Sequence, residues 1–530
     1  MLCLLFVNIQ AELFSAVKII LTIFTNNFKQ TIMYDVVITG SGLGGLQCAY
    51  ILSKEGYNVC VLEKHHQLGG CLQTFVRNNC IFDTGMHYVG GLDEGQMLWR
   101  FFKYFGLLDK VKMRQLNKDV FDMLEINGRT YKYAQGYDRF VDNLLEQFPN
   151  DKKALNDFVA MLKNIANATE LFLNKPSQAF EDKPTLKYFE HNAFDFIKSI
   201  TDNNELQQIL SGANTLHFHK SAKAPLYVHM VILNSLVESA WRFVDGGHQI
   251  ADVLVDEIQK HGGTIRKNAE VEEFVMNSND TAIEAVRLKH GERVHAKKFI
   301  SDIHPVKTFE LIESKLVRKV FTNRINDIEQ TIGVFSLYVV LEKNSFPYLN
   351  YNYFNCNNDN IWVADVYKEV EWPSGYMLFT PATSHTDKYA DCLMAITFMD
   401  YNDLKAWENT TVEKRGEDYK AFKKEKAEIL IDFIERKYPG LRKKIKKYYT
   451  STPLTYRDYT GTHQGSIYGN MRDCNNTMKT LLPVRSKVPN LYLTGQNINL
   501  HGVLGVSMGS LITSAHFVGG KYLFDKVNNV

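Results

Sequence analysis

Apolar positions recur along the chain at the spacing of strands and then of helices, and this alternation recurs at both ends of the sequence. Tyr34 to Thr39 (YDVVIT) forms a short β-rich apolar run. LQCAYILSKEGY then carries helical spacing to about Gly56, and NVCVLE predicts a second strand ending at Glu63. From Leu92 to about Lys223 the pattern is helix-like, as in LWRFFKYFGLLDKV and FVDNLLEQF, with Trp99, Phe102 and Phe105 on one face. That face is read as core, with a tunnel-lining or membrane-facing surface as the alternative. Residues 241 to 305 predict a helix, a Gly262-Gly263 turn, a strand, a hairpin turning at Gly291 and a strand ending near Ser301. Between 310 and about 450, strand-like runs (VFSLYVVLE, GYMLFTPAT, CLMAITFM) alternate with the charged helix VEKRGEDYKAFKKEKAEILIDFIERKY, whose charges read as a solvated face. Near the end, LYLT predicts a strand, Gly495 a turn, and HGVLGVSMG the start of a last helix.

Residues 1 to 24 (MLCLLFVNIQAELFSAVKIILTIF) stand outside this pattern. Glu12, Lys18 and the lack of a leading basic region fit a secretory signal poorly and a membrane span only in part. Met33 opens a cleaner domain start. Two readings of residues 1–32 stay open, an over-long start and an interfacial anchor. No other stretch approaches the length of a membrane span.

Composition narrows the function classes. The chain has 530 residues, 45% of them hydrophobic and 23% charged, enough apolar material for a large core in more than one domain. Lys and Arg total 61 against 59 Asp and Glu, a balance that speaks against a nucleic-acid partner. The eight cysteines are scattered without a Cys-x-x-Cys pair, so reduced thiols and a cytoplasmic location are expected. His217 and His219 are too few for a metal site and read as core or surface histidines, and no metal is expected.

The glycines carry the chemistry. Gly40, Gly42, Gly44 and Gly45, with Ser41 among them, sit between the first strand and its helix. Gly40 allows a tight turn, Gly42 admits a pyrophosphate to the backbone, and Gly45 lets helix and strand approach, while the helix N-terminus offers oriented N–H donors. Glu63, at the end of the second strand, accepts hydrogen bonds from an adenosine ribose and repels a 2′-phosphate. FAD, NAD and other dinucleotides all fit this unit alone. After Glu63 come Lys64, then Gly69-Gly70-Cys71, and FVRNNCIFDTGMHYVGG. Two glycines so placed let the chain pass close to a long cofactor.

These segments resemble the front of the carotenoid desaturase and retinol saturase group of flavoproteins, which carry a glycine pair after the ribose Glu and then an FD-x-G-x-H-Y-x-G stretch. Cys71 stands where many carotenoid desaturases have Arg; Gly-Gly-Cys followed by Thr74 and Phe75 is similar to the retinol saturase branch. The C-terminal VPNLYLTGQNINLHGVLGVSMG is similar to the flavin motif of the same group, with Asn497 in place of a frequent Asp. The resemblance spans roughly Met33 to Phe524, strongest at its two ends.

It implies an α/β fold in which a Rossmann-type FAD-binding domain, assembled from 33–95, 241–309 and 461–530, is interleaved with an α+β substrate domain from 96–240 and 310–460. It further implies FAD contacts from Lys64, from the backbone of Val271, and from Gly495, Gln496, Asn497, Gly502 and Val503. The expected activity is that of an FAD-dependent oxidoreductase acting on carbon–carbon double bonds of a long apolar polyene or lipid, with NADH or NADPH as a candidate reductant. His87, Tyr88 and His501 flank the motifs and are the candidate acids. A desaturase or isomerase, an amine oxidase and a flavin-free lipid-binding relative are the competing readings. Peripheral membrane association would suit an apolar substrate.

Overall fold

The computed structural model describes residues 33–174, 188–356, 361–367, 372–386 and 388–530; the N-terminal extension, with both of its readings, lies outside the described residues. Two seven-stranded sheets organise the rest.

The first sheet is parallel at its centre. Thr264–Arg266, Val59–Leu62, Met33–Thr39 and Arg293–Ser301 lie side by side in one direction. All four residues of Val59–Leu62 are buried, as a strand covered on both faces requires. The Arg293–Ser301 strand serves two partners. Its first half pairs antiparallel with Ile283–Leu288, which continues to Val271–Met276, and its last three residues pair parallel with Leu491–Leu493. The hairpin turns at Gly291, where φ is +90°. Helices Leu43–Lys54, His248–Lys260 and Gly502–Val518 cover this sheet.

Register decides where function can sit. Thr39 pairs with both Leu62 and Ser301, and Ser301 pairs with Leu493. Gly40, Glu63, Asp302 and Thr494 therefore follow directly at the carboxyl ends of four parallel strands, the edge at which open α/β sheets bind ligands.

The second sheet is mainly antiparallel and runs in the order Ile445–Ser451, Gly333–Leu341, Cys392–Met399, Gly375–Phe379, Asn352–Cys356, Asp122–Ile126, Arg129–Tyr133. The charged helix Gly416–Lys437 buries Leu430, Ile431 and Ile434 against it, and most of its charges face outward. A helical layer, including Ala193–Ile200 and Leu226–Glu238, forms a separate core with the hairpin strands.

The strands within 96–240 correct the helix-like reading of that region. Met113–Gln115 and the hairpin Asp122–Ile126/Arg129–Tyr133 are extended, the latter turning at Asn127-Gly128 with φ of +51° and +77°. Asn-Gly between short alternating runs is a hairpin signal that the surrounding helical periodicity obscured. On the first helix of this region the buried face is Leu98, Phe101 and Phe102, with Phe105 just beyond its end. Trp99 sits at its edge under the Lys103 ammonium.

Candidate active site

A cavity of about 410 Å³ opens from the carboxyl edge of the parallel strands into the space between the two sheets. Its volume is in the range of ordinary ligand pockets. One end is lined by backbone and polar groups of Gly40–Gly44, Glu63, Gly69–Cys71, Val271, Gly495–Asn497, Gly502 and Val503. The other is lined by Leu216, Val231, Ile232, Leu236, Met377, Leu500 and Leu504, with Tyr88, Tyr468 and His501 among them.

The polar end is built by close approach. A Cβ on Gly45 would stand 2.4 Å from the Gly40 carbonyl, and one on Gly44 would stand 2.9 Å from the Gly495 amide nitrogen. First and last motifs are thus in contact across the chain. Gly40 needs its φ of +97° to leave the strand. Ser41 donates to Oε2 of Glu63 from its amide at 3.0 Å and its hydroxyl at 2.6 Å, and the His65 amide donates to Oε1 at 2.9 Å. Oε1 keeps a lone pair for a further donor, as a ribose site needs. The Gly69 amide donates to the Ser41 carbonyl at 3.0 Å, and a Cβ on Gly70 would meet the Gly42 Cα at 3.1 Å. Only glycine lets these two loops touch while leaving the groove open. A donor-rich cradle with a ribose-type acid fits a dinucleotide.

The other expected residues fall as follows. Lys64 lines the rim, its ammonium donating to the Asp458 carbonyl at 3.2 Å. Cys71 lines the cavity, and burial pushes its thiol up to about 11, so it stays protonated. Asn497 turns its Oδ1 toward the Asn470 amide at 3.0 Å, tying the Gly469–Asn470 turn to the C-terminal motif. Gly502 and Val503 open the Gly502–Val518 helix at the cavity wall, and Gln496 also lines the cavity.

Sequence reasoning missed Asp302. Its carboxyl fills the space that Cβ atoms on Gly42, Gly44 and Gly495 would need, at 2.5, 2.7 and 2.5 Å. Burial raises its pKa to about 7, with the negative Glu63 adding to the effect and the amides of Gly45 and Gly42 opposing it. Its one local signal is its place immediately after a strand, in SDIHP.

At the apolar end, both ring nitrogens of His87 are buried without a hydrogen-bond partner, and its ring packs on Phe379 with centroids 4.7 Å apart. Burial, with the Arg242 charge second, lowers its pKa to about 3. His501 Nε2 lies 2.9 Å from the Leu216 carbonyl. A carbonyl only accepts, so Nε2 carries the hydrogen and Nδ1 is left as an acceptor. Burial lowers its pKa to about 4. Both shifts favour the neutral imidazole near neutral pH. Tyr88 differs: burial and the adjoining Asp122 raise its pKa well above the ordinary phenol value, and it donates to Asp122 Oδ2 at 2.8 Å. Tyr468, also missed from sequence, lines the cavity with its ring 4.4 Å from that of His501.

His217 and His219 are buried just behind this wall, in a row with His229. His229 Nε2 is 3.0 Å from the Leu210 carbonyl, His229 Nδ1 is 3.0 Å from His217 Nε2, and the two Nδ1 atoms of His217 and His219 are 2.9 Å apart. The Arg472 amide donates to His219 Nε2 at 2.9 Å. Since the carbonyl at one end only accepts and the amide at the other only donates, every tautomer in the row is set and all three rings are neutral. Among the described residues no cluster has the composition and spacing of a metal site.

The chain is similar to known proteins. A family model described as flavin containing amine oxidoreductase matches residues 43–308. The all-trans-retinol 13,14-reductase of Danio rerio is 27% identical over 90% of this chain and 84% of its own length. The chloroplastic prolycopene isomerase of Arabidopsis thaliana is 24% identical over 94% of this chain and 84% of its own. The structure of putrescine oxidase bound to putrescine superimposes with a TM-score of 0.60 at 14% identity, covering 92% of this chain and 99% of that one, a likeness of fold. The cofactor of this site is a flavin and the protein is an oxidoreductase. With the two glycine-bearing ends brought into contact around one groove and the family match running from the first helix through the returning strands, the chain belongs to the flavin-containing amine oxidoreductase family.

Proposed function

We propose that this enzyme is an FAD-dependent reductase of carbon–carbon double bonds in a long apolar polyene, of the retinol saturase kind. The observation that carries the reading is the continuity of one cavity from a dinucleotide cradle to an apolar slot. The similarity to a retinol reductase and a carotenoid isomerase supports a polyene over an amine. Among the described residues the acids of the cavity lining are Glu63, Glu270 and Asp302, all within 33–95 and 241–309.

In this reading 33–95, 241–309 and 461–530 make the cofactor unit and 96–240 and 310–460 the substrate unit. Gly40, Ser41, Gly42, Gly44 and Gly45 hold the pyrophosphate, Glu63 the ribose, Val271 the adenine, and Gly69–Cys71 with Gly495–Asn497, Gly502 and Val503 the flavin end. Bound there, reduced flavin supplies a hydride. The protein's own part is to hold the polyene in line, exclude water and place a proton. Leu216, Val231, Ile232, Leu236 and Leu504 bind through apolar area, worth about 25 cal/mol per Å² removed from water. His501, fixed as an acceptor at Nδ1, suits a substrate hydroxyl. Tyr88 keeps its proton at neutral pH and is the acid.

NADH or NADPH is inferred as the reductant. No described helix is long and apolar enough to cross a membrane. A cytoplasmic enzyme in peripheral contact with a membrane surface, where polyenes partition, suits such a substrate.

The test is anaerobic. Purified protein should show a flavin spectrum, and pre-reduced enzyme mixed with retinol should yield the saturated product with reoxidation of the flavin. Isomerised product with no net reoxidation would move the assignment to an isomerase. Hydrogen peroxide formed with amines would overturn the polyene reading.

A further inference from the structure

Asp122 is the first residue of a strand in the substrate sheet and lies far from the glycine motifs in sequence. Its carboxyl is buried and is held on both oxygens. Asn352, its register partner on the neighbouring strand, donates from Nδ2 to Oδ1 at 2.7 Å. Tyr88 meets Oδ2 at 2.8 Å. The orientation of the Asn352 amide is itself fixed, because its Oδ1 accepts from the Arg242 guanidinium at 2.6 Å. Arg242 is fully buried and donates to the carbonyls of Leu349, Thr380 and Tyr351 at 2.9, 2.8 and 2.9 Å. Arg242 thus fixes Asn352 as a donor to Oδ1, and Oδ2 is the oxygen of Asp122 that meets a hydroxyl able to exchange a proton. That oxygen faces a tyrosine in the cavity wall.

We propose that Asp122 is the proton reservoir of the reaction and Tyr88 the group that passes its proton to the substrate. The proposal rests on the double-bond reduction put forward above. A reduced flavin bound in the cradle would supply hydride to one carbon of the double bond, and the π-electron pair would move to the other carbon. That carbon takes the proton of the Tyr88 hydroxyl: a C–H bond forms and an O–H bond breaks. The phenolate then takes the proton from Asp122 Oδ2 along the same 2.8 Å contact, whose direction reverses. Asp122 is left as a carboxylate and is reprotonated through Tyr88 from water that enters after product leaves. Two electrons and one proton arrive as hydride and one further proton from the protein, so the saturation balances.

The surroundings suit a reservoir. Burial raises the Asp122 pKa to about 7, and the contacts from Asn352 and Tyr88 and the charge of Arg242 only partly oppose it. Among the described residues Tyr133, opposite it in the hairpin, is raised by burial and by Asp122, and Tyr468, which acts on Tyr88, is raised by burial, so both stay neutral. A carboxyl that titrates near working pH both donates and recovers a proton readily.

The experiment uses flavin-loaded enzyme, pre-reduced and mixed with retinol in single turnovers across pH 5 to 9, a range set around the Asp122 value of about 7. In the wild type the saturation rate should fall as pH rises through that value. Tyr88→Phe should lower it about 100-fold, within the ordinary span of general acid catalysis, and Asp122→Asn about 10-fold with loss of the pH inflection. Asp122→Glu should restore an inflection. Flavin spectrum and affinity should be unchanged in all three. Infrared difference spectra, wild type minus Asp122→Asn, should show a protonated-carboxyl band at pH 6 that disappears by pH 8. An Asp122→Asn enzyme with wild-type rate and inflection, or a wild type without the band, overturns the proposal. A flavin-loaded wild type that shows the band but saturates no retinol overturns the proposed function instead.

Discussion

Oδ2 of Asp302 lies 2.5 Å from the point where a Cβ on Gly42 would stand, so a returning strand closes the nucleotide loop from behind. Contacts below 3 Å are not absorbed without movement. Gly42→Ala and Gly44→Ala should each abolish flavin retention on desalting. Asp302→Ala, which clears the space, should restore part of it in the Gly42→Ala background. Retention in the single Gly44→Ala variant would mean that the Gly495 turn can move aside.

Glu63 accepts three hydrogen bonds from Ser41 and His65 before any ligand is bound. Glu63→Ala leaves those donors unpaired as well as removing the ribose acceptor. Flavin affinity should drop by about 10- to 100-fold, the cost of one to two strong hydrogen bonds. Fluorescence titration of the apoprotein measures it.

Val231, on the Leu226–Glu238 helix, lines the apolar end but not the glycine end. Val231→Trp should leave the flavin spectrum intact and raise the KM for retinol about tenfold by filling the slot. Loss of flavin instead would show that the two ends are not separable.

The histidine row weakens the fold in acid. Burial lowers His229 to about 4 and His219 to about 3, and places His217 well below the ordinary value of 6.5. Depressed folded values mean that the unfolded chain binds more protons below pH 6.5. These histidines therefore take stability away as pH falls from 6.5 toward 4. For His229 alone the full loss is about 3 kcal/mol, since each tenfold drop in proton affinity on folding is worth roughly 1.4 kcal/mol. Asp83 and Asp122, both raised to about 7 by burial, act in the opposite direction, adding stability as pH falls from 7 toward 4. The row is isolated by difference: wild type and His229→Gln should diverge less in Tm at pH 5 than at pH 7.

The legible parts of this fold are those whose signal is local. Strand, glycines, helix, strand and Glu63 lie within one stretch whose spacing is readable, and Gly495 with the helix after it lies within another, whose role came from resemblance. What stayed hidden depends on partners remote in sequence. Asp122 meets Asn352 across 230 positions, and Arg472 meets His219 across 253. Asp302 looks like an ordinary loop acid until four strand ends are seen in one register row. The Asn127-Gly128 hairpin carries a local, readable signal, and only the helical period of its neighbourhood masks it.

Leu491–Leu493 completes the parallel sheet beside Arg293–Ser301, and the helix Gly502–Val518 then packs on Leu43–Lys54. During synthesis the Leu43–Lys54 helix therefore keeps one face uncovered until Gly502–Val518 has been made. Loss of that late segment would leave Gly44 without the Gly495 turn that closes on it, and the nucleotide groove half built.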